Sequence, residues 1–366
     1  MFKRGIWRNF DFWLLAAVLF LSIFGVVMIR SAVAGNVNLA GLAKRQAEFL
    51  VVGIVLLILT TVVDYRYWKS FSKWLYAITL ILLITILVLG QSSFGAQRWL
   101  DVGFATVQPS EVAKIVIILI LAEYFEKSDK EPKNIKWVAK SLALVLGVVV
   151  WILLQPNLSN SILIFVIWFS MIWINGLPIK YIFAFGGSAI ALFIAAFPFL
   201  QPYQQQRILS FLFPDSTATH GNAYNVQQAL ISIGSGGFWG QGYGHGTQVQ
   251  LRFLQVRQTD YIFSAMANEF GFIGTVGIIC LLVFVILRCI RAARLASDVY
   301  GSMIAYGFAT LIFFQTIVNI GVNLNVIPVT GLTLPFISYG GTSLVSLLLG
   351  IGLIESVVSR RKMFES

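Results

Sequence analysis

Ten apolar stretches dominate this chain, at about 11–32, 46–63, 74–90, 109–125, 138–155, 159–175, 179–197, 260–287, 300–325 and 339–358. A helix needs about 20 apolar residues to cross a bilayer, where every backbone N–H and C=O must find its partner within the protein. The stretches have that length, and they lack the short alternating segments of barrel strands. Only 11% of the residues are charged, against about 25% in soluble domains. The expected fold is therefore an all-α integral membrane protein of ten transmembrane helices. The first stretch has no small-residue cleavage site and is too long for a signal core, so it reads as a retained helix. No internal repeat stands out, and residues 1–366 read as a single polytopic membrane domain.

Charge sets the expected orientation. Threaded with the N-terminus inside, the chain puts 18 of its 26 Lys and Arg residues on the cytoplasmic side and six on the other. That asymmetry predicts cytoplasmic N and C termini and a large extracytoplasmic loop, about 198–258, between helices 7 and 8. Segments 91–108, 155–160 and 326–338 fall on the same outer side. All four are rich in Gly, Pro, Gln, Ser and Arg, whereas the cytoplasmic connections are plain basic turns. Long loops of this kind often carry function, so the chemistry is expected to face outward. The net charge of +11 then belongs to positive-inside loops and implies no nucleic acid. Cys280 and Cys289 lie nine apart on one expected helix, about 180° around its axis, and cannot bond each other. His220 and His245 lack metal-ligand spacing.

Four stretches could carry chemistry. In "QPSEVAKI" (108–115), Pro109 and Ser110 signal a helix start, and Glu111 and Lys114 share one face. They are either a local ion pair or the lining of a polar cavity for a charged head group. "GSGGFWGQGYGHGTQ" (234–248) is either a flexible turn or a nest of N–H groups for phosphate or sugar. It lacks the Gly-Lys-Ser/Thr end of a P-loop. The preceding "YNVQQALISI" (224–233) reads as a short amphipathic helix on the outer face. In "LPFISYGGTSL" (334–344), Pro335 and the Gly340–Gly341 pair predict a break or re-entrant bend. Asp260 crowns a long apolar run, and Ser264, Ala267, Gly271 and Gly274 follow on its helix face. Such a small-residue stripe either packs helices closely or leaves a groove beneath a head-group site. Asp260 is thus either a helix cap, with Thr259 the other candidate, or a general base. Glu269, nine residues on, faces the opposite way.

The chain resembles the SEDS family of bacterial shape, elongation, division and sporulation proteins. The resemblance runs through "AQRWL" (96–100), "QPSEVAK" (108–114), "QPNLSNS" (155–161), "YQQQRI" (203–208), "IGSGGFWGQGYGHGTQ" (233–248), "TDYIF" (259–263) and "TLPFISYGGTS" (333–343). "GTQVQLRFL" (246–254) is more similar to the elongation branch, RodA, than to the division branch, FtsW. The resemblance implies ten helices in the bacterial cytoplasmic membrane. It implies a glycosyltransferase that polymerises lipid II into glycan strands, with undecaprenyl pyrophosphate leaving and inversion at the donor. It also implies a class B penicillin-binding protein, a transpeptidase, as partner. The family's essential aspartate falls on Asp260, and its buried Glu/Lys pair on Glu111 and Lys114. Asp260 is then the base for the acceptor hydroxyl, or a holder of a divalent cation (Mg or Mn) on the pyrophosphate. Arg98, Arg207 and Arg257 are the candidate pyrophosphate contacts. The sequence departs from the family pattern at Asn157, Gln241, Gln255, Val256, Gln258 and Asn268. A mechanism needing an acid at 157 or a lysine at 241 would not run here. Other readings are a lipid II flippase, with Arg30, Lys114, Glu269 and Glu355 as its deep polar groups, and a scaffold that activates the transpeptidase.

Overall fold

A computed structural model describes residues 9–89, 91–93, 96–101, 106–178, 197–213 and 221–361, with 181, 187 and 195 singly. The helices are α1 (Phe12–Ala32), α2 (Leu42–Val62), α3 (Tyr65–Leu89), α4 (Pro109–Lys127), α5 (Ile135–Leu154) and α6 (Leu158–Ile174). Next come α7 (Pro202–Leu212), α8 (Gly221–Gly236), α9 (Thr247–Gln250), α10 (Ile262–Leu295), α11 (Val299–Asn323) and α12 (Gly341–Ser359). Seven of these are long and apolar enough to cross a membrane, among the described residues. Two other expected spans fall short of that measure for opposite reasons. α4 carries Glu111, Lys114, Glu123, Glu126 and Lys127, and α6 is 17 residues long. The expected seventh span, 179–197, lies almost wholly outside the described residues.

Burial assigns each helix its place. α4 is buried along nearly its whole length, and α12 likewise. Both helices lie at the bundle centre, and the buried charges of α4 are paired, Glu111 with Lys114 and Glu123 with Lys127. α3 is peripheral and turns Phe71, Trp74, Ile78, Ile81 and Val88 outward, spaced three or four residues apart except at the last step. α2 packs along α12, α10 along α11, and α4 and α6 flank α11. The expectation of an all-helical fold needs one addition. β1 (Gln91–Ser93), β2 (Ala96–Asp101) and β3 (Thr106–Val107) form an antiparallel sheet just before α4.

One end of the bundle is clamped by charge. Asp11 accepts from Arg288, and its own N–H donates to Glu355 Oε2 at 3.0 Å, tying α1, α10 and α12 together. Asp298 accepts from the Tyr65 hydroxyl at 2.7 Å and Arg66 Nε at 3.0 Å, joining the α2–α3 turn to α11. The opposite end gathers the N-termini of α4, α6, α10 and α12. There, residues 326–340 turn back into the bundle as the Pro and Gly pattern predicts. Leu332, Leu334, Phe336, Ile337 and Ser338 are buried. α1 passes so close that a Cβ on Gly25 would lie 2.7 Å from the Ile337 carbonyl oxygen.

α10 is broken at Gly271, whose φ of 64° and ψ of −165° are non-helical. The glycine-rich loop repairs the break. Gln241 N and Gly242 N donate to the Asn268 and Glu269 carbonyls at 3.0 and 2.9 Å. Phe272 N and Ile273 N donate in return to Gly237 and Phe238 at 2.8 and 3.2 Å. Non-helical backbone at membrane depth survives only with such partners. Two of the loop's N–H groups are thereby spent on α10, which favours a packing role for this stretch over an anion nest. The small stripe is likewise a packing surface. A Cβ on Gly236 would lie 1.9 Å from the Ala267 carbonyl oxygen, and one on Gly271 would lie 2.3 Å from Gly240 N. Of the two readings of the stripe, close packing holds: α8 and its following loop pack against it, leaving no groove at Gly236 or Gly271.

Candidate active site

Asp260 stands in a turn before α10, with Thr259 N bonded to the Val256 carbonyl at 3.2 Å. The helix begins at Ile262 after Tyr261, whose side chain makes no cap bond. Neither Thr259 nor Asp260 is the cap, which corrects that expectation and leaves the carboxyl available. The carboxyl and the Arg207 guanidinium of α7 both approach Gly331 without forming an ion pair. A Cβ on that glycine would lie 3.8 Å from both Asp260 Oδ2 and Arg207 Nη1. Glycine at this position, with φ +78°, keeps the space between acid and guanidinium open. Burial pushes the Asp260 pKa above its ordinary value; Arg207 and a hydrogen bond from Thr259 pull the other way. The result is a carboxylate more basic than a surface aspartate.

Arg207 also belongs to a cavity of about 120 Å³ lined by Arg98, Asn157, Ser159, Tyr203 and Thr330 among others. Its Nη1 donates to the Thr330 carbonyl at 3.2 Å, which aims the guanidinium past the re-entrant segment. The Tyr203 ring packs against both arginines, its centroid 5.9 Å from Arg98 Cζ and 5.7 Å from Arg207 Cζ. The lining holds two cations and no carboxylate, so its field favours an anion.

The other residues singled out by sequence have different places. Arg98 donates through Nε to the Gln155 carbonyl at 3.2 Å and through Nη2 to the Pro156 carbonyl and Tyr203 hydroxyl. It pins β2 to the start of α6 while forming one wall of the cavity. Arg257 is only 5% exposed and donates to the Ala32 and Leu254 carbonyls. It is a strut between α1 and the turn, which corrects its reading as a pyrophosphate contact. Glu111 and Lys114 form an ion pair at 2.6 Å, both buried, and neither lines the cavity. They sit one layer below it. Asn157, on the cavity wall, and Asn160 donate to Ser110 Oγ, next to Glu111, at 3.4 and 3.0 Å. Glu269 accepts from Ser31 Oγ on α1; because Asp260 stands in the turn before α10, helical phase does not relate the two.

Sequence reasoning passed over Tyr203, Thr330, Gly331, Asn319, Asn323 and Ser338. For the two asparagines a signal existed: polar side chains four apart in an apolar span are costly unless used. Among the described residues no three His, Cys, Asp or Glu side chains form a metal-holding group. Asp260 would supply a divalent cation with one carboxylate beside a competing guanidinium. Other ligands would have to come from substrate phosphate, as is usual for magnesium.

Residues 12–363 match a family described as "Cell cycle protein", whose members include FtsW, RodA and SpoVE. "Peptidoglycan glycosyltransferase MrdB" of Escherichia coli (strain K12) is 34% identical, over 99% of this chain and 97% of that protein. "Probable peptidoglycan glycosyltransferase FtsW" of Coxiella burnetii is also 34% identical, over 96% of this chain and 97% of the relative. A solved structure described as "Structural coordination of polymerization and crosslinking by a peptidoglycan synthase complex" superposes with a TM-score of 0.83. It is 31% identical and covers 95% of this chain and 97% of its own.

Proposed function

Because the chain belongs to the FtsW, RodA and SpoVE family, we propose that it is a peptidoglycan glycosyltransferase using Asp260 as general base to polymerise lipid II. Relatives matched over nearly their full length bear that activity in their names. The observation that carries the assignment is the approach of both Asp260 and Arg207 to Gly331, Arg207 also lining a cavity whose ionisable groups are cationic.

The chemistry follows from those groups. The acceptor sugar's 4-hydroxyl oxygen attacks the anomeric carbon of the donor and forms the new glycosidic bond. The bond from that carbon to the lipid pyrophosphate breaks, and its electron pair leaves on the pyrophosphate. The hydroxyl proton passes to Asp260, whose raised basicity suits the transfer. Attack opposite the leaving group inverts the anomeric centre. Arg207, with Arg98 beside the same Tyr203 ring, balances the charge that develops on the pyrophosphate. In the alternative role, Asp260 would instead hold a divalent cation on the pyrophosphate, which would supply charge stabilisation there. No nucleotide is required, since the pyrophosphate bond carries the energy.

Asp260→Asn in purified protein should lower polymerisation of lipid II on gels at least about 100-fold, the scale of a lost general base. Near-normal product from a folded variant would refute the base role. A flippase is not favoured. Lys114, Glu269 and Glu355 each have partners of their own on separate elements, and the cavity touches none of them. The cavity end is proposed to face outward, opposite the basic end, in the bacterial cytoplasmic membrane. Equal identity to MrdB and FtsW leaves "GTQVQLRFL" as the support for the elongation role. The structural likeness to a synthase complex supports pairing with a class B penicillin-binding protein.

A further inference from the structure

Three successive carbonyls of the Asp260 turn are held from outside. Gln258 O accepts from Tyr339 N at 2.8 Å, and Thr259 O from Ser338 Oγ at 2.8 Å. Asp260 O accepts from Asn323 Nδ2 at 2.9 Å and Asn319 Nδ2 at 3.2 Å. A peptide unit is planar, so holding these carbonyls holds the planes on either side of the Asp260 Cα. The direction of its Cα–Cβ bond is thereby set.

Asn319 and Asn323 are one helical turn apart on α11 and both buried. Each has a second task. Asn319 Nδ2 also donates to the Leu332 carbonyl at 2.9 Å, binding the re-entrant segment that carries Gly331. Asn323 Oδ1 accepts from Ser264 N at 3.0 Å and Ser264 Oγ at 2.6 Å. Ser264 N is among the first, orphan N–H groups of α10, and Tyr261 offers no cap. α11 thus caps α10 in trans. One pair of amides joins the three segments whose junction sets the distance between Asp260 and Gly331.

We propose that Asn319 and Asn323 are positioning residues for Asp260, acting through its backbone to place its carboxyl at Gly331, on the side facing Arg207. Asparagine suits the task because its amide donates and accepts at once, while leucine of similar size would strand a buried carbonyl. The proposal rests on Asp260 being the base.

The test is a cycle of purified full-length variants assayed on lipid II, with thermal midpoints measured alongside. Asn323→Ser and Asn319→Ser should each lower kcat about 10- to 100-fold, as displacing a reacting group by about 1 Å does. KM should change less than about 2-fold, because ground-state binding is untouched. In the Asp260→Glu background, where the longer side chain already displaces the carboxyl, the same substitutions should cost less than about 2-fold. An equal fold-loss in both backgrounds means a role in the fold alone and overturns the proposal. So does wild-type kcat in either single variant, or failure of both to yield folded protein. If only Asn323→Ser fails to fold, Asn319→Ser carries the test. Activity retained in Asp260→Asn would instead refute the base assignment, so the two failures are distinguishable.

Discussion

At the scale of single residues, the site depends on one carboxyl placed where it is costly to ionise. Burial raises the Asp260 pKa and Arg207 opposes it. The base must be deprotonated to work, so activity should fall as pH drops through a value above the ordinary carboxylate range. Arg207→Gln removes the main lowering influence, so its residual activity should show the acid limb at higher pH. A limb that stays put or moves down in pH–rate profiles would count against the pairing. The same shift has a stability consequence. A folded-state pKa above the unfolded one favours the protonated fold, and that contribution is lost as pH rises through the folded value. Above that folded value ionised Asp260 destabilises the fold, and there Asp260→Asn should raise the thermal midpoint while lowering turnover. Asp260 itself was legible in the sequence as an acid at the rim of an apolar run. Its partner was not. Arg257 is three residues away in sequence yet bonds to the end of α1, because the turn containing Val256, at φ 51°, redirects the chain.

At the scale of elements, two devices keep polar backbone and charge inside the bundle. The first is the splice at Gly271. Its backbone conformation is one that only glycine adopts comfortably, and any Cβ would meet Gly240. Gly271→Ala should cost about 1–3 kcal/mol in strain alone, before the clash with Gly240, and appear as a lowered thermal midpoint. The second is the Glu111–Lys114 pair in α4. Lys114→Met leaves a buried carboxyl unpaired and should destabilise by about 3–5 kcal/mol. Adding Glu111→Gln should recover part of that loss in a double-variant melt. The period of α4 placed both groups on one face, but not whether that face met a cavity or a neighbour. Asn157 and Asn160 settle it by bonding Ser110 between the pair and the cavity.

At the scale of the whole molecule, the proposed orientation can be read by labelling. In a variant lacking Cys280 and Cys289, Thr330→Cys on the cavity wall should react with a membrane-impermeant maleimide added outside intact cells. Ser297→Cys at the basic end should react only after permeabilisation. The reverse pattern would invert the topology. The expected spans outside 179–197 match helices to within about ten residues at each end, because span length and hydropathy are properties of a local window. α10 and α11 also explain why the site is compact. Ser264 and Asn323, 59 residues apart, bond directly through paired helices.

What the sequence determined by itself was everything additive along the chain: the membrane-crossing runs, the charge asymmetry, the re-entrant break near Pro335, and an acid at the mouth of a span. The tertiary structure decided which surfaces met. It filled the small-residue stripe with the glycine-rich loop, sent Arg257 to α1 and brought Arg207 and Asp260 both to Gly331, and capped α10 from another helix. A hydropathy pattern specifies lengths and faces. A site is made where three or four such faces converge, and that convergence is decided by packing across the bundle, which no local window contains.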